Sequence, residues 1–173
     1  VHYKYRNTMN LEITAAAEAA YNKCAKTNKT IIHNKPLPWY CIFVIKGESV
    51  DVAQQYPPEG EIVDINVDNW QEKIWIPLVE LITTKYAKDA CLVIVDILYT
   101  TVEGNPRSQS VFFKWCPDTG VPVRTKMLIG SSFQSVKKKL DVQGVTPELS
   151  QRSQFDMSTF ADLAHLKGYP IDA

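Results

Sequence analysis

Hydrophobic residues along the chain fall into short runs that predict strands. Three runs are rich in aromatic and β-branched residues and predict buried strands, at 39–45, 91–99 and 109–115. A fourth segment, 61–67, alternates apolar with polar residues and predicts a half-exposed strand. Because the turn residues Gly104-Asn105-Pro106 separate the second run from the third, we expect those two strands to form an antiparallel hairpin.

Helical patterns occupy much of the remaining sequence. Four segments predict helices: 14–25, 70–86, 122–140 and 155–166. Thr14 is a good N-cap before strong helix formers. Pro77 removes a helical hydrogen bond, so the second segment is predicted to kink or to split into two helices, with Pro77 starting the second. The third helix is predicted to be interrupted near Gly130-Ser131-Ser132.

The order of these elements predicts the fold class. Strands and helices are interspersed without the strict alternation of a doubly wound nucleotide-binding fold. We therefore expect an α/β (α+β) fold with a mixed sheet and helices on both of its faces. The stretch 47–60 is predicted to be a long loop, and 141–147 a short strand or turn. A length of 173 residues suits one domain over 1–173, with a flexible polar arm over about 1–10.

Composition narrows the class of function. The chain has 19 basic and 19 acidic residues, and a formal net charge of zero argues against a globally basic nucleic-acid binder. No apolar run approaches the roughly 18 residues of a membrane span, and no signal peptide is visible. The four cysteines are widely spaced without a C-x-x-C pair, which favours a reducing cytoplasmic setting.

Candidate catalytic groups are few. No histidine has metal-ligand spacing with Cys, Asp or Glu, and no phosphate-binding loop or nucleophile elbow occurs. Asp96 lies in an apolar strand, where a hydrogen-bonded structural carboxylate is favoured about four to one over a catalytic one. Cys116 is favoured about five to one as an inert thiol, and a thiol enzyme remains the distant alternative. We expect no enzyme activity, no cofactor and no metal ion.

The clearest chemical signal is a group of cations within this neutral chain. The window 121–140 has no acidic residue and holds five cations: Arg124, Lys126, Lys137, Lys138 and Lys139. The three lysines complement the helix dipole, whereas cations in the first turn, Arg124 and Lys126, oppose it. We therefore expect those two to serve an acidic partner, which could be a protein surface, an anionic lipid head group or nucleic acid.

Helical periodicity arranges this window into faces. Positions 124, 131, 135 and 138 fall on one polar face at 3.6 residues per turn. Two apolar pairs spaced four residues apart are predicted to face the sheet, namely Val123 with Met127 and Val136 with Leu140.

A longer motif surrounds the start of this helix. It runs Trp115-Cys116-Pro117-Asp118-Thr119-Gly120-Val121-Pro122-Val123-Arg124-Thr125-Lys126-Met127, with Ser131-Ser132 and Lys137-Lys138 following. The motif resembles the actin-depolymerising factor/cofilin family, whose typical form is W-S-P-D-x-A-P-[VI]-[KR]-x-K-M. With its flanking segments, the resemblance covers roughly residues 10–166. It implies an ADF-homology (gelsolin-like) fold with a central five-stranded mixed sheet.

The resemblance also implies a function and a set of contacts. It implies a monomeric, cytoplasmic, cytoskeletal protein that binds actin monomers, promotes filament depolymerisation and turnover, and can bind phosphoinositides. Carried over by position, with Met127 as an apolar anchor, the monomer contacts are Arg124, Lys126, Met127, Ser131, Lys137, Lys138, Leu11 and Gln143.

The chain departs from the family pattern where the family contacts filaments. The hairpin loop keeps a single cation, Arg107, and the last helix has Asp162 at a corresponding position. Fewer charges weaken such a contact, so we expect monomers to be preferred over filaments and severing to be weak or altered. No serine occupies the family's phosphorylation position, where Thr8 is the closest hydroxyl. The regions 47–60 and 68–88 look like surface insertions.

An alternative lies within the same fold. A glia-maturation-factor-like or coactosin-like protein would bind an actin-related complex or the sides of filaments instead of monomers. The sequence leaves this alternative open.

Overall fold

The computed structural model describes residues 11–26 and 37–170, so the expected arm with Thr8 lies outside the described residues. The strands are β1 (Glu12–Ile13), β2 (Tyr40–Lys46), β3 (Ser49–Tyr56), β4 (Cys91–Thr100), β5 (Pro106–Trp115) and β6 (Glu148–Leu149). The α-helices are α1 (Ala15–Ala25), α2 (Ile76–Lys85), α3 (Val123–Leu140) and α4 (Met157–Leu163). A π-helical turn, Gln71–Trp75, precedes α2, and a 3-10 turn, Arg152–Phe155, precedes α4.

The strands form one mixed sheet in the order β1-β3-β2-β4-β5-β6. The central pairs β3–β2, β2–β4 and β4–β5 are antiparallel, whereas the two-residue edge strands β1 and β6 pair in parallel. Nine of the ten β4 residues are buried, as its continuous apolar run predicts. The mixed sheet and the β4–β5 hairpin are therefore confirmed, and within the described residues the sheet has six strands rather than five when the two-residue strands at its edges are counted.

Adjacent residues of β5 reach the two faces of the sheet, and both faces are covered by helices. Phe112 packs against Phe133 of α3, with ring centroids 5.9 Å apart. Phe113 packs against Phe160 of α4, at 5.6 Å. Successive side chains of a strand point to opposite faces, so the sheet separates two hydrophobic cores. One core holds α1 and α3, and the other holds the π-helical turn, α2 and α4.

The expected loop at 47–60 contains a strand instead. β3 pairs antiparallel with β2 from Lys46 opposite Ser49 to Tyr40 opposite Tyr56. The tight turn between them is made at Gly47, whose φ of 60° is readily adopted by glycine. The sequence pattern does not indicate this strand, because most of its residues are only half-buried and include polar ones, so it lacks a continuous apolar run.

The expected strand at 61–67 is wrong, because residues 61–66 have no regular structure. Ile65 is nevertheless buried, and Val63 and Val67 pack against the core, so the apolar alternation serves side-chain packing without strand pairing. Asn66 ends the segment by accepting hydrogen bonds from the amides of Asp68 and Asn69 at 2.9 and 3.0 Å. Such asparagine turns compete with strand pairing by satisfying the backbone locally.

Helix boundaries follow the capping signals where these are local. Thr14 accepts a hydrogen bond from the Ala17 amide at 3.1 Å and caps α1 as predicted. The segment containing Pro77 divides into a π-helical turn and α2, with Pro77 in the first turn of α2. The last helix is shorter than expected. The first predicted residue, Phe155, belongs to the 3-10 turn, and α4 ends at Leu163.

The interruption expected in α3 does not occur. The helix continues through Gly130 because a buried stripe on either side of it, Ile129, Phe133, Val136 and Leu140, packs on the sheet. Tertiary packing of this stripe outweighs the low helix propensity of one glycine, about 1 kcal/mol relative to alanine.

Replacing Gly130 by alanine is expected to raise the free energy of unfolding by about 0.5–1 kcal/mol. A Cβ added at this position would meet nothing within 4 Å. Urea unfolding followed by tryptophan fluorescence measures the change. Gly144→Ala is the matched control, since it also meets open space but has a φ of +80°, so it should destabilise. A destabilised Gly130→Ala variant would contradict a regular helix at this point.

An apolar and cationic helix face as candidate binding site

The turn between β5 and α3 fixes where the helix begins. Trp115 ends β5 and donates from its indole nitrogen to the Tyr86 carbonyl at 3.0 Å, and the Cys116 amide donates to the Leu149 carbonyl at 2.9 Å. Gly120 has a φ of 81° and lies against the Lys88 side chain. Both strand end and turn are thus tied to neighbouring elements, which gives α3 a defined starting position.

The outward face of α3 combines apolar and charged side chains. Val123 and Met127 are 72% and 70% exposed, so the prediction that this pair faces the sheet is wrong. At 3.6 residues per turn, Met127 lies on the side opposite the buried stripe, together with Arg124, Ser131 and Lys138, which are also exposed. The second predicted pair, Val136 and Leu140, is buried as expected. We call the set Val123, Arg124, Met127, Ser131 and Lys138 the α3 outer face.

Three of the five cations are bound to neighbouring segments of the chain. Lys126 Nζ donates to the Asp118 carbonyl at 2.5 Å, within the turn that precedes the helix. Lys137 Nζ donates to Thr146 Oγ1 at 3.0 Å and lies 4.6 Å from the centroid of the Phe133 ring. Lys139 Nζ donates to the Leu11 carbonyl. Lys126 and Lys137 are half-buried on the flanks, so Arg124 and Lys138 are the charges of the outer face itself.

The two predicted contacts outside α3 have different positions. Leu11 is 1% exposed and packs in the core beside α1 and α3, so its side chain does not reach the surface and the prediction for it is corrected. Gln143 is exposed and donates to Asp141 Oδ1 at 2.9 Å. Since Lys137 joins α3 to Thr146, the segment 141–147 adjoins the last turns of the helix and places Gln143 beside it.

The positions predicted to contact filaments lie elsewhere on the molecule. Arg107 is exposed near the end of the β4–β5 hairpin, opposite Tyr99. Asp162 is exposed on α4, on the other face of the sheet from α3. The Tyr99 hydroxyl donates to the Lys167 carbonyl at 2.6 Å, so the chain after α4 packs on the hairpin. The hairpin end and the region of α4 therefore form a second area, separate from the α3 outer face.

The buried Asp96 has a structural environment. Its Oδ1 accepts a hydrogen bond from the Ser108 hydroxyl at 2.6 Å. Its backbone is also held, because its amide donates to the Trp39 carbonyl at 2.9 Å and its carbonyl accepts from the Trp70 indole at 3.0 Å. The Asp96 carboxylate therefore joins β4 to β5, and the Asp96 backbone joins β4 to Trp39 and to the residue that precedes the π-helical turn.

The environment of Cys116 does not favour a thiolate. Burial raises the pKa of the Cys116 thiol above its ordinary value, although Lys114 and Lys126 lower it in part. A raised pKa leaves less of the nucleophilic thiolate at a given pH, which is the reverse of an activated catalytic cysteine. Within residues 11–26 and 37–170, no three His, Cys, Asp or Glu side chains are grouped to hold a metal ion.

Cys116 is expected to react more slowly with a chromogenic disulfide reagent in the folded protein than in urea, at about pH 8. Because burial raises the pKa of the thiol in the folded state, less of it is thiolate there, and unfolding restores its ordinary pKa. The other three cysteines are buried, so Cys116→Ser should remove the first phase of native labelling. Faster labelling of the folded protein than of the unfolded one would instead indicate a stabilised thiolate and support the thiol-enzyme alternative.

Among the described residues, no helix has the combination of length and apolar character needed to cross a membrane.

Comparison with known proteins gives one family match and several relatives. Residues 10–165 match the family described as cofilin/tropomyosin-type actin-binding protein. Actin-depolymerizing factor 3 of Arabidopsis thaliana is 35% identical over 72 residues, which cover 42% of this chain and 51% of that protein. Actin-depolymerizing factor 2 of Zea mays is 36% identical over 77 residues, covering 44% and 53%. The chain thus spans about half the length of the curated relatives it matches.

Solved structures share the fold at low identity. The ADF-like UNC-60A protein of Caenorhabditis elegans has a TM-score of 0.66 at 18% identity, covering 90% of this chain and 95% of that one. Plasmodium berghei actin depolymerization factor 2 has a TM-score of 0.63 at 20% identity, covering 90% and 96%. The human coactosin-like protein has 0.61 at 15% identity, covering 96% and 97%. At these identities the likeness establishes the fold alone.

Proposed function

The chain belongs to the cofilin/tropomyosin-type family of actin-binding proteins, and from this premise we propose that it binds actin through the α3 outer face. The observation that carries the proposal is the exposure of Met127 and Val123 beside Arg124. Large apolar side chains on a surface are favourable where a partner covers them, and an adjacent arginine supplies orientation. Methionine and arginine are enriched at protein interfaces, and arginine is among the residue types that dominate the binding energy there.

The proposed partner is the actin monomer in preference to the filament. The proposed monomer contacts lie along α3 and on the adjoining segment 141–147, which suits a single subunit as the partner. In the area near the hairpin, the proposed filament contacts comprise only two charged side chains, Arg107 and Asp162. Filament binding and severing are therefore proposed to be weaker than monomer binding.

The proposed mechanism consists of binding to actin and requires no catalytic group. A protein that binds monomeric actin more tightly than filamentous actin shifts the population toward monomers by mass action. Filament depolymerisation and turnover follow from that difference in affinity. The proposed location is accordingly the cytoplasm and the cytoskeleton, where actin is found, with the protein acting as a monomer.

Two actin assays test this proposal together. Titration of fluorescently labelled actin monomers measures binding to the subunit, and co-sedimentation with filaments measures binding to the polymer. The expected result is saturable binding to monomers, weaker binding of the protein to filaments in the pellet, and a slow loss of filament mass. Protein that pellets with filaments without binding monomers would overturn the monomer preference, and binding in neither assay would overturn the proposed function.

A second candidate within the fold is binding to filament sides or to an actin-related complex, as in coactosin-like or glia-maturation-factor-like proteins. The exposed Arg107 at the hairpin end favours it, because this cation lies outside the α3 outer face. The monomer titration and the filament co-sedimentation of the parent protein separate the two candidates, and Arg107→Ala tests the filament contact that the second candidate needs. This variant should leave monomer titration unchanged and reduce any co-sedimentation with filaments.

Phosphoinositides are proposed as competing ligands of the same face. Arg124 and Lys138 are exposed cations that can contact lipid phosphates, with Lys126 and Lys137 on the flanks. Vesicles containing a phosphoinositide should then release labelled actin, whereas vesicles of neutral lipid should not.

A further inference from the structure

A second surface feature lies on the opposite side of the sheet from α3. It is a groove of about 250 Å³ between α2 with its π-helical turn and the 3-10 turn that leads into α4. Trp75, Val79 and Phe155 line it with apolar surface, and the Trp75 indole donates to the Phe155 carbonyl at 3.1 Å, which ties the two walls together. The groove is therefore a built feature of packed elements.

The most exposed apolar side chain of the groove is Ile76, at 56%. The helix widens at this point, since the Ile76 amide donates to the Gln71 carbonyl five residues back. The preceding residues Ile74 and Trp75 are buried in the core, and the wide turn brings Ile76 to the edge of the groove. Single-turn π-helices of this kind occur frequently at functional sites. An isoleucine exposed beside an apolar groove offers a contact for a partner side chain.

The charge around the groove is negative. Glu80 and Asp156 lie on its rim and are exposed, and Arg152, the single cation among the described residues that line it, is paired with Glu80 at 3.0 Å. The chain leading to the π-helical turn adds further carboxylates, because residues 59–72 contain five acidic residues and no lysine or arginine. All five are exposed: Glu59, Glu61, Asp64, Asp68 and Glu72. This side of the molecule therefore carries a surplus of acid, in contrast to the cationic α3 outer face.

We propose that this groove docks a segment of a partner protein in which an apolar side chain is flanked by lysine or arginine. The apolar side chain enters between Ile76 and Met157, and the cations meet Glu80 and Asp156. Charge complementarity selects this occupant, because an acidic rim repels anionic lipid and acidic peptides. The groove and the α3 outer face lie on opposite sides of the sheet, so both partners can bind at once. The inference therefore stands independently of actin binding.

A fluorescein-labelled peptide with a leucine pair flanked by arginines serves as the probe, and anisotropy with the full chain measures its affinity. Ile76→Ser should weaken binding by about tenfold. Ile62→Ser is the matched control, since Ile62 is also 56% exposed and lies outside the groove, and it should leave the affinity unchanged. Glu80→Gln with Asp156→Asn should also weaken binding about tenfold and reduce its salt dependence. The paired change Glu59→Gln with Glu61→Gln removes the same number of charges outside the groove lining, so it should have a clearly smaller effect.

Three results would overturn the proposal: no measurable binding of the peptide, equal losses for Ile62→Ser and Ile76→Ser, or unchanged affinity when serines replace the leucines of the probe. Sedimentation velocity adds a fourth. Concentration-dependent dimers that Ile76→Ser abolishes would assign the groove to a second copy of the chain. Because Ile76 is largely exposed, the melting temperature should change little in this variant, and actin-monomer titration should remain as in the parent protein.

Discussion

Replacing Arg124 by glutamate together with Met127 by serine is expected to weaken binding to actin monomers by about a hundredfold or more. The double change removes an apolar anchor that is 70% exposed and reverses the nearest outward charge. A like-charge contact with an acidic partner surface costs affinity beyond the loss of the favourable one. Titration of labelled actin monomers measures the effect.

The same double change should leave the fold intact. Both side chains are exposed on α3, and substitutions of exposed side chains usually alter the free energy of unfolding by less than about 0.5 kcal/mol. A matched control alters an exposed cation and an exposed apolar residue elsewhere, as Lys23→Glu with Ile62→Ser. This control should bind actin as the parent protein does. Unchanged affinity of the Arg124→Glu, Met127→Ser variant would exclude the α3 outer face as the actin site.

The core beneath the α3 outer face gives the second large effect. Phe133→Ala is expected to lower the free energy of unfolding by about 3–5 kcal/mol. The ring is 1% exposed and stacks on Phe112 of β5, with centroids 5.9 Å apart and planes 21° apart. Removing it leaves a cavity at the contact between helix and sheet, and it also removes the ring below Lys137 Nζ. Urea unfolding followed by tryptophan fluorescence measures the loss.

Phe133→Leu is the graded control, because it preserves much of the buried volume and should cost less than about 1.5 kcal/mol. At temperatures where Phe133→Ala remains folded, its outer face is retained, so the effect on actin affinity should be much smaller than that of the Arg124→Glu, Met127→Ser change. A loss of stability below about 1 kcal/mol for Phe133→Ala would show that α3 does not pack on the sheet as described.

The elements that the sequence predicts well are those whose local pattern matches their burial. The run at 91–99 is apolar because β4 is buried on both faces, and Thr14 caps α1 through a hydrogen bond three residues away. Pro77 indicates the start of α2, because proline has no backbone N–H and the first turn of a helix does not need one. Each of these features depends on interactions within a few residues or on complete burial, so it is visible along the chain.

The features that the sequence did not predict depend on the packing of distant segments. The polar, half-buried β3 is a strand because β2 supplies its hydrogen bonds, and Gly130 is helical because the buried residues around it hold α3 to the sheet. The two-residue edge strands β1 and β6 are of the same kind, since they exist only through pairing with distant strands.

Prediction of the candidate site was limited in a similar way. The cationic window is visible from composition, and the family resemblance indicates which of its residues are candidate contacts. Periodicity placed Val123 and Met127 toward the sheet, whereas the buried stripe of α3 begins only at Ile129. Lys126 and Lys139 bind carbonyl groups at Asp118 and Leu11, and partners of that kind cannot be read from spacing along a helix.

The separation of charge between the two sides of the sheet has a consequence for encounters in solution. Although the formal net charge is zero, cations on α3 and carboxylates at 59–72 give the molecule an electric dipole moment. A dipole experiences a torque in the field of a charged neighbour, so the protein reorients before it makes contact with that neighbour. An acidic neighbour meets α3 first, a basic one meets the opposite side, and the rate of productive collision falls as added salt shortens the range of that field.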